Sequence, residues 1–286
     1  QVFIASIPFN LYAITAIALS AWVIARRFDF GPMARAEART RSGELLWPGS
    51  TPMVDVTQET LEDDGRPIPS AARMLLPITV MIVMMPIGLY LTGDGNLIEG
   101  SGSTSVLWAV LVALIAAWLI GLSSGEHTVD GLMRVLMKGA GNLLPIATIL
   151  LFALALGDLA RELGTGIYVA NAAAATIPEP LLPPLVFVVS AFIAFSVGSS
   201  WGTFAIMIPI AIPIATTLGL PVPLLLGAAI SGAIFGDHAS PISDTTVVAS
   251  MAAATDHIEH VRTQLPYALL AAAIATAGFF VLAVLA

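Results

Sequence analysis

The sequence predicts an all-α, polytopic transmembrane helix bundle, and three observations carry that prediction. Of 286 residues, 57% are hydrophobic and only 10% are charged, with a mean hydropathy of +0.92; soluble domains carry roughly a quarter charged residues. Several apolar runs approach the roughly 20 helical residues that cross a hydrocarbon core. These runs are continuous rather than alternating with period two, so helices rather than a closed barrel satisfy the backbone. The expected partner is therefore the lipid bilayer, and the expected location is the cell membrane, multi-pass. A net charge of −8 with one lysine, Lys138, argues against nucleic acid. With no cysteine there is neither a disulfide framework nor a thiolate metal site.

The first apolar stretch begins at Val2 with no basic segment before it, which reads as the interior of a longer protein. A transmembrane helix is expected over residues 1–27, closing on Arg26 and Arg27. Residues 28–73 are polar. They hold eight of the nineteen acids, and seven of the eleven Lys/Arg lie between Arg26 and Arg73. By the positive-inside rule this segment is a cytoplasmic linker loop, made flexible by Pro and Gly around Trp47-Pro48-Gly49 and Gly65-Arg66-Pro67. Residues 74–286 form the main membrane domain. A span at 74–91 leads to a loop with Asp94 and Glu99 but no base, hence outside. A span at 106–122 returns to Arg134 and Lys138, and a third at 139–156 goes out again. Asp158, Arg161 and Glu162 read as an interfacial ion-pair cluster, and Asn142 and Trp201 as packing residues.

Beyond residue 157 the apolar runs shorten and are interrupted by Gly, Pro and Ser. Runs at 185–197 and 204–218 flank Gly198-Ser199-Ser200-Trp201-Gly202-Thr203, and each spans only about 20 Å at about 1.5 Å per residue. Runs at 224–235 and 246–254 flank Gly236-Asp237-His238-Ala239-Ser240-Pro241-Ile242-Ser243-Asp244-Thr245. The pattern predicts a re-entrant hairpin followed by a broken helix, with an ordinary span at 267–285.

From Pro180 to Thr255 only Asp237, His238 and Asp244 ionise in the physiological range, and all three lie in one break. Ionised carboxylates are costly in hydrocarbon, so intramembrane acids face a cavity or a partner and mark ion paths. Broken helices expose carbonyl oxygens, and Ser240, Ser243, Thr245 and Thr246 add hydroxyl oxygens, a donor set suited to a hard cation. Asp237 and Asp244 are the expected carboxylate ligands of Na+. In the first break Ser199, Ser200 and Thr203 offer neutral oxygens while Gly198 and Gly202 permit close backbone approach. His238 reads either as an orienting hydrogen-bond partner or as a proton relay. A zinc site built on these residues lacks a soft ligand.

Gly198-Ser199-Ser200-Trp201-Gly202-Thr203-Phe204-Ala205, followed by Phe235-Gly236-Asp237-His238-Ala239-Ser240-Pro241-Ile242-Ser243-Asp244-Thr245-Thr246, resembles the NhaC-type sodium/proton antiporter family of a broader ion-transporter superfamily. Leu163-Gly164-Thr165-Gly166-Ile167-Tyr168-Val169 is similar as well, so the resemblance covers roughly residues 140–270. It implies one repeat of an inverted-repeat transporter, with the hairpin tip at Gly198 to Thr203, the broken helix turning at His238 to Asp244, and residues 74–286 as the transport domain. The partner repeat would precede this chain in the same protein, and a homodimer stays open.

The resemblance implies secondary active exchange of Na+ for H+ across the cell membrane, with Na+ and H+ as transported ions, no cofactor and no enzymatic step. A Na+-coupled organic-anion exchanger of malate/lactate type, holding a carboxylate at Ser199 and Ser200, is the alternative. An intramembrane aspartyl protease also needs two buried acids, but such a pair shares a proton across about 3 Å and comes from separate helices.

Overall fold

The computed structural model describes residues 2–52, 71–125 and 128–285. Within 142–174 some side chains lie outside the description, including those of Asn142, Asp158 and Arg161, and the expected roles of these three fall there. The helices are α1 (Val2–Ser6), α2 (Leu11–Arg26), α3 (Gly31–Arg41), α4 (Ala72–Thr92), α5 (Gly102–Ser123), α6 (Val129–Glu162), α7 (Thr165–Thr176), α8 (Leu182–Val197), α9 (Ser200–Leu218), α10 (Val222–Ala239), α11 (Asp244–Ala252) and α12 (His257–Leu285). Among the described residues there is no strand, and seven helical segments are long and apolar enough to cross a membrane. The protein is a polytopic helix bundle. Its outward surfaces are apolar, with Ile17, Ile24, Leu119 and Phe192 each more than 60% exposed, as expected where lipid rather than water is the solvent.

The chain forms two compact units, residues 63–147 and residues 1–62 with 148–286. In the smaller unit α4 packs closely against α5, because Gly88 lets Ser105 approach; a Cβ at Gly88 would lie 2.8 Å from that of Ser105. The connecting turn is closed by Thr92, whose Oγ1 accepts from the Ser101 amide at 2.9 Å and donates to the Gly88 carbonyl at 2.7 Å.

The larger unit is organised around α10, of which 67% is buried against 6% for the span containing α2. Its neighbours are α8, α9, α2 and α12, and the core between them contains Tyr12, Phe187, Leu224, Ala228, Ala271 and Phe279. Gly232 and Gly236, four residues apart on one face of α10, allow the backbones of α10 and α8 to touch. A Cβ at Gly236 would overlap the Ala191 carbonyl and sit 2.6 Å from the Ala194 Cβ, and one at Gly232 would overlap the Phe187 carbonyl. Small residues at such spacing are the usual device for packing helices in lipid, where apolar side chains gain nothing by leaving the tails.

Arg134 and Lys138, expected in a loop, lie within α6, and α12 begins at His257, ten residues before the expected span; two further regions also differ from the sequence reading. The single helix expected over 1–27 is interrupted by a 3-10 turn at Ile7–Phe9, where Pro8 cannot donate and Asn10 caps α2 by accepting from the Ala13 amide. Ser231 of α10 secures this break, donating to Asn10 Oδ1 at 2.9 Å and accepting from the Tyr12 amide at 3.4 Å. Residues 28–52 of the expected flexible linker are built onto α12. Pro32 starts α3, and Tyr267 accepts from the Phe30 amide at 3.0 Å and donates to Asp29 at 3.1 Å. Farther on, Arg39 lies over the Trp47 ring at 4.7 Å and the Thr51 amide donates to Asp256 at 2.9 Å. The sequence underrated this segment because its anchors are single contacts to distant residues. The remainder of the expected linker, 53–70, lies outside the described residues.

Replacing Gly236 with Val forces α8 and α10 apart, and overpacking of this kind costs about 1–3 kcal/mol. The detergent-solubilised variant is expected to melt several degrees lower, whereas Gly139→Ala, with open space at its Cβ, leaves the midpoint unchanged. The Asp256 carboxylate is held below the usual carboxylate range, first by the Thr51 amide and then by the Glu259 amide. A depressed folded-state pKa adds stability above the unfolded value and loses it as pH falls below about 4. Acidification through that window is therefore expected to release residues 45–52 and change Trp47 fluorescence, and Asp256→Ala should show the released signal already at neutral pH.

Candidate cation site

The second break is narrower than the ten residues expected. Helix α10 continues through Gly236, Asp237, His238 and Ala239, and only Ser240 to Ser243 are non-helical before α11 begins at Asp244. Pro241 accounts for the interruption: it has no amide hydrogen to continue the ladder. Helices α8 and α9 are likewise longer than expected, at 16 and 19 residues, and the turn between them shrinks to Gly198 and Ser199. The apolar stretches alone missed the helical turns made by Ser200 to Thr203 and by Gly236 to Ala239.

Asp237 is 8% exposed and sits in the last turn of α10. Its Oδ1 accepts from Ser243 Oγ at 2.7 Å and its Oδ2 from Thr245 Oγ1 at 3.2 Å, while the two hydroxyls are themselves 2.7 Å apart. Ser243 also caps α11, accepting from the Thr246 amide. One carboxylate and two hydroxyls thus converge where α10 ends and α11 begins. The charge is poorly placed electrostatically, since a helix C-terminus already carries partial negative charge. Among the described residues no Lys or Arg pairs with it.

The hairpin tip docks directly against this break. Gly198 adopts a left-handed conformation with φ 71°, and a Cβ there would lie 2.9 Å from both the Ile242 carbonyl oxygen and its Cγ1. Ser240, fully buried, donates to the Phe195 carbonyl at 2.8 Å. At the tip Ser199 caps α9 by accepting from the Gly202 amide, and buried Thr203 donates to the Ser199 carbonyl at 3.0 Å. Ser200 is half-buried in the first turn of α9, and Gly202 is buried. The two motifs singled out in the sequence therefore form one structural unit through backbone contacts, while the tip hydroxyls serve their own helix ends.

Asp244 does not join Asp237. It is exposed at the first position of α11 and accepts from its neighbour's amide, Thr245 N, at 2.9 Å. A carboxylate in a first helical turn is favourable in itself, which accounts for its place without a shared ion. Among the described residues the hydrogen-bond partners of the Asp237 carboxylate are the Ser243 and Thr245 hydroxyls, while Asp244 bonds the Thr245 amide. Thr246 is buried, its Oγ1 3.5 Å from the His238 carbonyl oxygen. Trp201, expected to pack in the core, is 64% exposed, with an edge contact to Phe204.

The Nδ1 of His238 shares a 2.7 Å hydrogen bond with the hydroxyl of Tyr12, which is itself 1% exposed. Gln264 of α12 donates to the His238 carbonyl at 2.6 Å, and the His257 ring contacts the Pro241 carbonyl. Sequence reasoning did not find Tyr12, Gln264 or His257, because each lies at least sixteen positions from its partner and carries no local signature. The Gln264 bond also sets the depth of the site. Helix α12 is polar from His257 to Gln264 and wholly without charge from Leu265 to Leu285, so Asp237 and His238 lie near the end of the apolar layer that bears the 28–52 segment.

Comparison with known proteins places this geometry in context. The family described as the Na+/H+ antiporter family matches residues 1–284, farther than the motif resemblance reached. An uncharacterized protein of Haemophilus influenzae is 32% identical over 98% of this chain and 54% of its own length. The arginine/ornithine antiporter ArcD of Halobacterium salinarum is 30% identical over 82% of the chain and 46% of its own length. A malate-2H(+)/Na(+)-lactate antiporter of Bacillus subtilis is 33% identical over 60% and 36%, respectively. The chain thus spans about half the length, or less, of the curated relatives it matches, and no solved structure matches it. With the family model matched over residues 1–284, the chain belongs to the Na+/H+ antiporter family.

Proposed function

We propose that the protein containing this chain exchanges Na+ for H+, with Asp237 carrying either ion in turn. The observation that supports this is the buried Asp237 carboxylate at the C-terminal end of α10, held by two hydroxyls and by no basic side chain among the described residues. Such a group is stabilised by whichever positive ion reaches it. A proton neutralises the charge, and a sodium ion replaces that neutralisation while taking oxygens from Ser243 and Thr245 as further ligands. Because one carboxylate cannot hold both, the two flows are coupled by competition. Asp244, exposed at the start of α11, adds negative potential at the mouth without being the exchanged group. His238, tied to Tyr12, orients the last turn of α10.

A second reading, Na+-coupled exchange of an organic anion, is supported by the relative named for malate and lactate. In both readings the break docked on the hairpin tip is the moving centre of one repeat, and the partner repeat lies in the remainder of the longer protein.

The test is dissipation of a preset ΔpH in inside-out vesicles containing the full-length protein, on addition of NaCl, KCl or sodium malate. Sodium-dependent dissipation is expected, abolished by Asp237→Asn and retained by Asp244→Asn with a few-fold higher half-saturating Na+. Loss of the hydroxyl in Ser243→Ala removes a charge-assisted hydrogen bond and a ligand, and is expected to raise half-saturating Na+ roughly tenfold. Full exchange in Asp237→Asn overturns the assignment, and a response to malate alone selects the second reading.

A further inference from the structure

The two hydroxyls that meet Asp237 belong to the start of α11, where Ser243 is the cap and Thr245 the second residue. Their position is therefore only as fixed as this helix. Packing does little to fix it, since of its nine residues only Thr246 and Ser250 are buried. A short helix with so little buried surface depends on its hydrogen bonds to other elements. At the break those bonds come from α12. Gln264 meets the His238 carbonyl, while His257 reaches the Pro241 carbonyl with Nε2 and the Ser250 hydroxyl, at 3.1 Å, with Nδ1. His257 thus ties the residue two places before the Ser243 cap to the last turn of α11.

Donors and acceptors around His257 do not balance for a neutral ring. The Pro241 carbonyl only accepts, so Nε2 carries a hydrogen. Ser250 has one hydroxyl hydrogen, and its Oγ lies 2.7 Å from the Val247 carbonyl, which also only accepts. With that hydrogen committed, Nδ1 has to donate as well. A neutral imidazole has one N–H and completes the set only by breaking the Ser250–Val247 bond. The imidazolium completes all of it, through charge-assisted bonds about twice as strong as neutral ones. The ionisable groups nearby have other partners or places. On α12, Asp256 accepts from the Thr51, Ile258 and Glu259 amides, and Glu259 is 3.3 Å from Arg262. Asp244 of α11 is on the Thr245 amide, and on α10 Asp237 is on its hydroxyls and His238 on Tyr12. Glu37 and Arg39 of α3 line a cavity with Glu259 and His260.

We propose that His257 is a positioning residue for the cation site: donating through both ring nitrogens, it fastens the break and α11 to α12 and so keeps Ser243 and Thr245 on Asp237. Its bonds go to Pro241 and Ser250 rather than to Asp237, so the proton it carries is not the exchanged one. The ring is half-buried at the polar start of α12, within reach of water. Because the fastened arrangement needs both ring protons, it is complete at low pH and loses one bond as the ring deprotonates with rising pH. This role rests on the reading of Asp237 as the cation carboxylate, whereas the fastening itself does not.

The test is deuterium uptake over residues 244–252 in the detergent-solubilised full-length protein at about pH 6 and about pH 8.5, corrected for the intrinsic pH dependence of amide exchange. Loss of one hydrogen bond is expected to make uptake about fivefold faster at the higher pH. In His257→Gln uptake is expected to be fast at both values. In His257→Arg, whose guanidinium donates in two directions and keeps its charge, it should be slow at both. Ser250→Ala, which removes the Nδ1 acceptor, should shrink the step to less than about twofold, and Asp237→Asn should leave it intact. Half-saturating Na+ in the vesicle assay is expected to rise about fivefold in His257→Gln and to recover in His257→Arg. No step in the wild type, a step that persists in His257→Gln or Ser250→Ala, a step that vanishes in Asp237→Asn, or unchanged half-saturating Na+ in His257→Gln would each overturn the proposal. Absence of Na+ exchange in the wild type sinks the cation reading instead, and the deuterium result then decides the fastening by itself.

Discussion

The close approach of α10 to α8 at Gly232 and Gly236 is the constraint on which the rest of the larger unit depends. In lipid, two helices do not associate to hide apolar side chains, so contact has to come from packing and hydrogen bonds. Removing two side chains from one face of α10 brings its backbone against the Phe187 and Ala191 carbonyls. That approach places the end of α10 beside the end of α8, within reach of the Ser240 bond to Phe195 and the Gly198 contact with Ile242. The hairpin tip and the helix break are joined because the helices behind them are in contact.

On that frame the site is electrostatically unfinished. The Asp237 carboxyl stands at a helix end that disfavours negative charge, and among the described residues its partners are hydroxyl donors rather than a cationic side chain. A permanent Arg or Lys partner would stabilise the carboxylate but also occupy it. Hydroxyl groups orient the oxygens and leave the charge available. Tyr12 and Gln264, arriving from α2 and α12, hold the adjacent His238 in place, so the end of α10 is fixed from three sides while α11 is attached mainly through its N-terminal cap and His257.

The position of the site along α12 also bears on how ions would reach it. The last turn of α10 is level with Gln264, where the polar start of α12 meets its apolar length. Approach from the side of the 28–52 segment is therefore short. Approach from the other side crosses most of the apolar length of α12.

The sequence by itself determined the membrane class, the helical architecture and the segment carrying the ionisable residues, because each follows from composition or from charges standing alone in an apolar run. Hydropathy placed most spans within a few residues. It failed where polar residues continue a helix, as at Gly236 to Ala239, since an apolar count cannot see backbone hydrogen bonds. It also treated Asp237 and Asp244 as equals, for both lie in one motif. Only the tertiary structure separated them, burying the first beneath Ser243 and Thr245 and leaving the second exposed at a helix start. It alone brought Tyr12 to His238 across 226 positions and His257 to the Pro241 carbonyl. Such pairings depend on how helices pack, and packing is set by the shapes of facing surfaces, which a linear order of residues does not record.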